Sequence, residues 1–386
     1  MATTGTKSFC HKEYPPRADL RKMMDQQPLP TLAPGLIGST SMTSDEATSQ
    51  ARAVLDIFNA ALAVDDAKTL ESCFYADQAY WKDQLSLTYH LRTFNTPGII
   101  AAGLLETAKL RGISKGIEID GSAMLLPVTP TLQFIDCPLV FQTSSPATTC
   151  RGKVMLLPVK DTGYNKVVWK IWVLFTRLES LDIQPEDEIL LRSPRRQLDN
   201  AESFDTDVFI IGGGNAGVTL SARLKALGVD SLLAEQNPRV GDNWALRYDC
   251  MKFHIPTSVC DMPYMEYGEE LRTPNFLTRQ NLASQVQQYV EKFNLNMITS
   301  AKIQSTQYDE SAKRWKINFQ TPHGKRTAVS KQLVLATGYG SQKPNLPTIA
   351  NREIYRGISI HSAEYKNATA LKEQGVKVSN LQRSSL

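Results

Sequence analysis

Residues 208–217 read Val-Phe-Ile-Ile-Gly-Gly-Gly-Asn-Ala-Gly, and this stretch constrains the fold of the chain more than any other. Four apolar residues, 208–211, predict a short buried strand. Gly212, Gly214 and Gly217 follow at the spacing G-x-G-x-x-G, ahead of a helical run over 218–227. A second apolar run, 231–234, ends in an acid, Glu235. Gly212 permits a tight turn out of the strand, Gly214 lets a pyrophosphate approach the backbone, and Gly217 lets the helix pack close to the strand. The helix N-terminus, at Asn215, Ala216 and Gly217, offers free N–H groups and a partial positive charge to phosphates. Glu235 would accept hydrogen bonds from ribose hydroxyls and repel a 2′-phosphate, so the site suits FAD or NAD better than NADP. A glycine triplet alone is weak. Strand, glycines, helix, strand and acid in this order are specific to dinucleotide binding.

At 386 residues the chain predicts two or three domains. The formal net charge of +4 is small, and the one basic cluster, 192–196, is short, so no nucleic-acid partner is expected. The six cysteines (Cys10, Cys73, Cys137, Cys150, Cys250 and Cys260) contain no C-x-x-C pair. That argues against a zinc site and a dithiol redox centre, and no metal is expected. Residues 1–10 hold no apolar h-region, and no apolar stretch approaches ~20 residues. Neither secretion nor a membrane span is therefore expected, and a cytoplasmic location is.

Residues 1–45 read as a disordered or extended tail, interrupted by Pro15, Pro16, Pro28, Pro30, Pro34 and Gly35. An α+β domain is expected over 46–183. Thr43 and Glu46 match a capping box, and Val54, Leu55, Phe58 and Leu62 then share one helical face. Further helices are expected over 67–74 and 97–110. Beyond Gly112, apolar runs broken by Pro127, Pro130, Pro138, Pro146, Pro158 and Gly163 read as short strands, the clearest at 167–175. Helices followed by strands suggest a curved sheet. Residues 184–206 read as a linker. From 207 to 386 the pattern is α/β and Rossmann-type. Leu282, Val286, Tyr289, Val290 and Phe293 mark an amphipathic helix. Trp315, Ile317 and Phe319 alternate as a strand before a turn at 322–324, and 332–336 reads as a buried strand.

Three further motifs share this last region. Gly241, Trp244, Arg247 and Tyr248 form a Gly-x-x-Trp-x-x-Arg-Tyr stretch; taken alone, Trp244 reads as a core residue beside an exposed arginine. Ala336-Thr337-Gly338 is followed by Pro344 and Pro347. Tyr355, Gly357, His361 and Tyr365 fit F-x-G-x-x-x-H-x-x-x-(Y/F/W), with tyrosine at the first position. Together they resemble the class B flavin monooxygenases, which include flavin-containing and Baeyer–Villiger monooxygenases. The resemblance implies FAD held at Gly212, Gly214, Asn215, Ala216, Gly217, Glu235, Gly241, Trp244, Arg247, Thr337 and Gly338. It implies NADPH as co-substrate, with dioxygen and a small-molecule substrate oxygenated at N or S, or by Baeyer–Villiger insertion. Tyr365, where Baeyer–Villiger enzymes usually carry tryptophan, leans away from Baeyer–Villiger insertion. His361 enters the catalytic set as a positioning residue, affecting oxygenation indirectly. The element order over 46–183, closing on residues 169–181, resembles the cone-shaped nuclear-transport-factor-like (SnoaL-like) domains as they occur in fungal flavoproteins. Such a cone can form a homodimer or hold an apolar ligand, and the layout fits secondary metabolism.

The sequence departs from the family at one point. The family carries a second G-x-G-x-x-G for NADPH, with its strand near Gly375. Residues 375–386 read Gly-Val-Lys-Val-Ser-Asn-Leu-Gln-Arg-Ser-Ser-Leu, with no second triplet. The expectation is an α+β cone-like domain followed by an incomplete Rossmann-type FAD domain, truncated before the NADPH motif. Two classes of function stay open: a flavin monooxygenase, and a non-catalytic remnant that binds a ligand or dimerises. A disulfide reductase is disfavoured for want of a redox cysteine pair.

Overall fold

A computed structural model describes residues 28–33, 36, 42–113, 115–160, 166–198, 201–272, 276–338 and 347–376. Most of the tail expected over 1–45 lies outside these residues, as does the polar stretch after 376 on which the truncation reading rests. The chain divides into two compact units, Met1–Pro185 and Glu186–Leu386.

The first unit opens with helix α1, Ser44–Ala63, capped as its sequence predicts: the Glu46 N–H donates to Thr43 Oγ1 and the Thr43 N–H to Glu46 Oε2. Its buried face carries Val54, Leu55 and Phe58. Helices α2 (Ala67–Ser72) and α3 (Pro97–Arg111) follow, with strands β1 (Tyr80–Gln84) and β2 (Leu91–Asn95) between them. Then come β3 (Glu118–Ile119), β4 (Met124–Thr129), β5 (Leu132–Ser144), β6 (Ala147–Lys160) and β7 (Val167–Leu181). They make one sheet in the order β2-β1-β7-β6-β5-β3, with β4 also on β5. Phe58, Ile100 and Leu104 of the helices pack on Trp81, Ile135 and Ile171 of the sheet. A second cluster contains Leu132, Phe134, Leu157 and Trp172, with Leu32 packed against it. Strand positions alternate between the two clusters, as the period of two requires.

Strands β5 to β7 are longer than the expected short runs. Pro138 sits inside β5, between Asp136, where β4 pairs, and Leu139, where β3 pairs. Pro158 sits in β6 beyond Leu156, the last β6 residue paired with β5. Each proline thus falls where the ladder is already open on one side, which is where a missing N–H does least harm. Register shifts at Thr149/Cys150 and Met155/Leu156 interrupt the β6–β7 ladder, and such bulges bend a strand.

The second unit is built on β8 (Ser203–Ile211), helix α4 (Asn215–Ala226) and β9 (Ser231–Ala234). After the short helices α5 (Asp242–Ala245) and α6 (Glu269–Arg272) comes α7 (Arg279–Lys292). Strands β10 (Met297–Ile298), β11 (Lys302–Asp309), β12 (Arg314–Thr321) and β13 (Gly324–Leu335) complete the sheet, in the order β10-β9-β8-β13-β12-β11. A last short helix, α8, spans Ala368–Glu373. The four strands β10, β9, β8 and β13 are parallel, and β11 to β13 form an antiparallel meander. Val208 and Ile210 pack with Val218 and Ala222 of α4 and Val286 and Tyr289 of α7. Phe209 and Leu232 pack instead with Ile317 and Phe319 of the meander. This is the Rossmann-type arrangement that the glycine run predicts.

Two expectations change. The stretch 332–336 is not a separate buried strand but the end of β13, and Leu335 is 71% exposed. The cause is pairing: β12 leaves β13 after Ser330, so Gln332 to Leu335 pair only with β8. From Glu186 on, the supposed linker is part of the second unit. Glu188–Arg192 forms a 3-10 turn, Leu191 is buried with α4 and α7, and Leu198 is buried with the meander. Lys225 Nζ donates to the carbonyls of Ser193, Phe293 and Asn294, tying the stretch to both helices. Leu191 and Leu198 are isolated anchors ahead of β8, whose alternation begins only at Phe204, which is why the stretch reads as loose. Among the described residues no helix is long and apolar enough to cross a membrane.

Candidate nucleotide-binding site

The glycine run lies at the C-terminal edge of β8, between β9 and β13. Gly212 has φ +114°, and a Cβ there would stand 2.3 Å from the Ala336 carbonyl oxygen. A Cβ at Gly217 would stand 2.0 Å from the Gly212 carbonyl oxygen. Both positions demand glycine because backbone meets backbone. Gly214 differs: its nearest neighbour would be the Asn243 side chain at 3.4 Å, so this position leaves room above the loop. Gly214 is the N-cap of α4 and no side chain caps that helix. The N–H groups of its first turn, at Asn215, Ala216 and Gly217, are left to an outside acceptor such as a phosphate.

Glu235 follows β9 and is 6% exposed. Its Oε2 accepts the Gly213 N–H at 2.7 Å. Its Oε1 accepts both the Asn237 backbone N–H and the Asn237 Nδ2, each at 2.8 Å. The acid is therefore fixed beside the glycine loop, with the buried charge met by three donors. Gly213 and Asn237 did not stand out in the sequence. The signal was available for Asn237, since an asparagine just after a strand end readily folds onto nearby groups.

The other motif residues gather around this loop to different degrees. Trp244 Nε1 donates to Asn215 Oδ1 at 2.7 Å, so the tryptophan stands at the first turn of α4. Its ring meets Phe253 edge-on at 5.4 Å, and the Arg247 guanidinium lies 5.3 Å from its centroid. Arg247 itself is exposed. Gly241 has φ +82°, and a Cβ there would be 2.6 Å from the Ala283 carbonyl oxygen, so its glycine is needed to pack on α7. Thr337 and Gly338 follow Ala336, whose N–H donates to the Ile211 carbonyl at 2.8 Å, and they share the sheet edge with Gly212.

His361 is not brought to the glycine loop by its contacts. Its Nδ1 accepts the Ala363 N–H at 3.1 Å and its N–H donates to Glu364 Oε2 at 3.3 Å, so the imidazole caps its own turn. The end of that motif does dock. The Tyr365 ring is 6.2 Å from Tyr248, the Asp249 N–H donates to the Lys366 carbonyl at 2.7 Å, and Asn367 Nδ2 donates to Asp249 Oδ2 at 2.8 Å. Two motifs that are separate in sequence thus meet on the loop that leads out of Trp244.

The five described cysteines are unpaired, and among the described residues no cluster of His, Cys, Asp and Glu could hold a metal. Burial pushes the Cys137 and Cys150 thiols up to about 11. A cleft of about 460 Å³ lined by Glu266, Tyr267, Gln285 and Lys292 shares no lining residue with the glycine loop. Gln285 Nε2 is unpartnered but closed off from solvent, so the cleft offers a ligand no donor there.

Residues 206–378 match the family model described as pyridine nucleotide-disulphide oxidoreductase. Among characterised relatives, the chain is 29% identical over 178 residues to a protein named probable indole-3-pyruvate monooxygenase YUCCA10 of Arabidopsis thaliana, covering 45% of this chain and 46% of that protein. It is 29% identical over 183 residues to probable indole-3-pyruvate monooxygenase YUCCA4 of the same plant, covering 46% and 43%. The chain thus spans less than half the length of these relatives. A solved flavin-containing monooxygenase from Stenotrophomonas maltophilia is 20% identical over 44% of this chain and 48% of that one, at TM-score 0.39. The relatives are enzymes, oxidoreductases of the monooxygenase kind.

Proposed function

We propose that the second unit holds FAD and belongs to a flavin-dependent monooxygenase, which uses NADPH and dioxygen to oxygenate a small molecule at N or S. The observation that carries this reading is the cradle at Gly212 to Gly217: two positions closed to any Cβ, one left open, an uncapped helix start and a fixed carboxylate at the ribose side. These residues fit the adenosine diphosphate part of FAD. Bound flavin would supply the redox chemistry and the activation of dioxygen. The chain's own residues bind and orient. Gly214 and the first turn of α4 would face the pyrophosphate, Glu235 the ribose, and Asn215 with Trp244 the exit from the loop. Arg247, Gly241, Thr337 and Gly338 complete the rim, and His361 holds the turn that presents Tyr365 to Tyr248. Glu235 at the ribose side would repel the 2′-phosphate of NADPH, so this cradle suits FAD rather than NADPH. The relatives' names support oxygenation. The N- or S-centred substrate is proposed from the motif resemblance and a part in secondary metabolism from the two-unit layout; a cytoplasmic location is proposed with them.

We read the first unit as a SnoaL-like cone, supported by three helices packed on one bent sheet. A homodimer through this unit is part of the proposal. A second reading is a module that holds a ligand without turnover.

The test is reconstitution with FAD followed by NADPH and a thioether or tertiary amine under air. NADPH consumption coupled to an S-oxide or N-oxide supports the monooxygenase. Bound FAD with neither NADPH loss nor oxygenated product rules out turnover by this chain and leaves the module.

A further inference from the structure

We propose that Asn237 is a positioning residue that sets how the site recognises the adenosine ribose. The inference rests on reading the glycine loop as an FAD site. It starts from a count of lone pairs on Glu235. Each carboxylate oxygen accepts about two hydrogen bonds. Oε1 receives two, from the Asn237 backbone N–H and from Asn237 Nδ2, both at 2.8 Å. Oε2 receives one, from the Gly213 N–H at 2.7 Å. Among the described residues, one acceptor site is left, on the oxygen next to the glycine loop.

The arrangement has two effects. First, the carboxylate is held from both ends, so the rotamer entropy of a glutamate is already spent before a ligand arrives, and preorganisation of this kind raises affinity. Second, it directs recognition to a single oxygen. A ribose hydroxyl donates to Oε2 beside Gly213, while Oε1 is closed to a second hydroxyl as long as Asn237 Nδ2 holds it. Removing the Asn237 amide frees the carboxylate to rotate, so that its oxygens no longer stand fixed toward the ribose hydroxyls. Replacing it by aspartate keeps the shape but sets a second carboxylate against Glu235 and removes the donor. Gly213 belongs to the same device: a Cβ there would stand 3.0 Å from Glu235 Cβ, so a larger residue would push the acid off the loop.

The test compares the wild-type chain with Asn237→Ala and Asn237→Asp. FAD affinity is read by flavin fluorescence titration, and bound FAD is then displaced by ADP or by 2′,3′-dideoxy-ADP, which lacks the ribose hydroxyls. The wild type should be displaced better by ADP than by the dideoxy analogue. In Asn237→Ala, FAD affinity should fall about tenfold, the effect of one good hydrogen bond to a charged group, and the preference for ADP should shrink. Asn237→Asp should lose more. Unchanged FAD affinity in both variants overturns the proposal. So does an unchanged ADP preference alongside weaker FAD, because a merely structural asparagine would weaken both competitors alike. If wild type binds no FAD, the flavin reading fails first and the inference falls with it.

Discussion

At the scale of single residues, the site depends on a few atoms whose partners decide what each can do. The Trp244 indole N–H is the bridge between the Gly241 loop and Asn215 at the start of α4. Trp244→Phe keeps the ring against Phe253 and removes only that donor. The expected cost is about 1 kcal/mol of stability, seen in chemical denaturation, with FAD binding several-fold weaker. The cysteines give a second residue-level prediction. Cys250 is exposed, whereas Cys73, Cys137 and Cys150 are buried thiols held protonated by desolvation. Brief alkylation of the native chain near pH 8, read by peptide mass spectrometry, should label Cys250 well ahead of Cys137 and Cys150. Equal labelling would contradict the burial. Much of this scale was legible in advance. The glycine spacing and Glu235 could be read because each residue type answers a steric or charge requirement. Asn237 could not be picked out because its role depends on where the chain turns after β9. The part played by His361 was hidden too, since a capping contact and a catalytic one need the same residue.

At the scale of elements, the surprises come from partners that are distant in sequence. Residues 184–202, ahead of β8, have no helical or strand period, yet Leu191 and Leu198 are buried in the two cores of the second unit. Leu191→Ala should therefore cost about 2–4 kcal/mol and lower the unfolding transition of the second unit. A true linker would tolerate the change without effect. The long strands β5 and β6 were hidden for a related reason. Pro138 and Pro158 look like breakers, and only the sheet order shows that each sits where a neighbour has ended or not yet begun. The amphipathic helix α7 and the Thr43 capping box were legible because both are local patterns. Strand burial in β13 was not, because Leu335 depends on whether β12 runs far enough to cover it.

At the scale of the whole molecule, the two units carry different tests. The first unit holds Cys137 and Cys150, both raised from an ordinary 9.0 to about 11 by burial. A raised thiol pKa means that the folded state keeps protons the unfolded chain gives up. The stabilisation is complete below pH 9 and is lost as pH rises from 9 through about 11. Each thiol contributes up to ~3 kcal/mol, so the Tm of this unit should fall over that window, and Cys137→Ala should flatten the fall. The second unit carries the central claim, that the loop from Gly212 to Gly217 binds flavin through its adenosine end. One pair of titrations tests it most directly: FAD fluorescence quenching by the wild-type chain and by Gly217→Ala, with circular dichroism to show that both are folded. A Cβ at Gly217 collides with the Gly212 carbonyl, so the account predicts saturable FAD binding by the wild type and binding weakened at least tenfold in the variant. FAD binding of equal strength by both chains, or by neither, would contradict it.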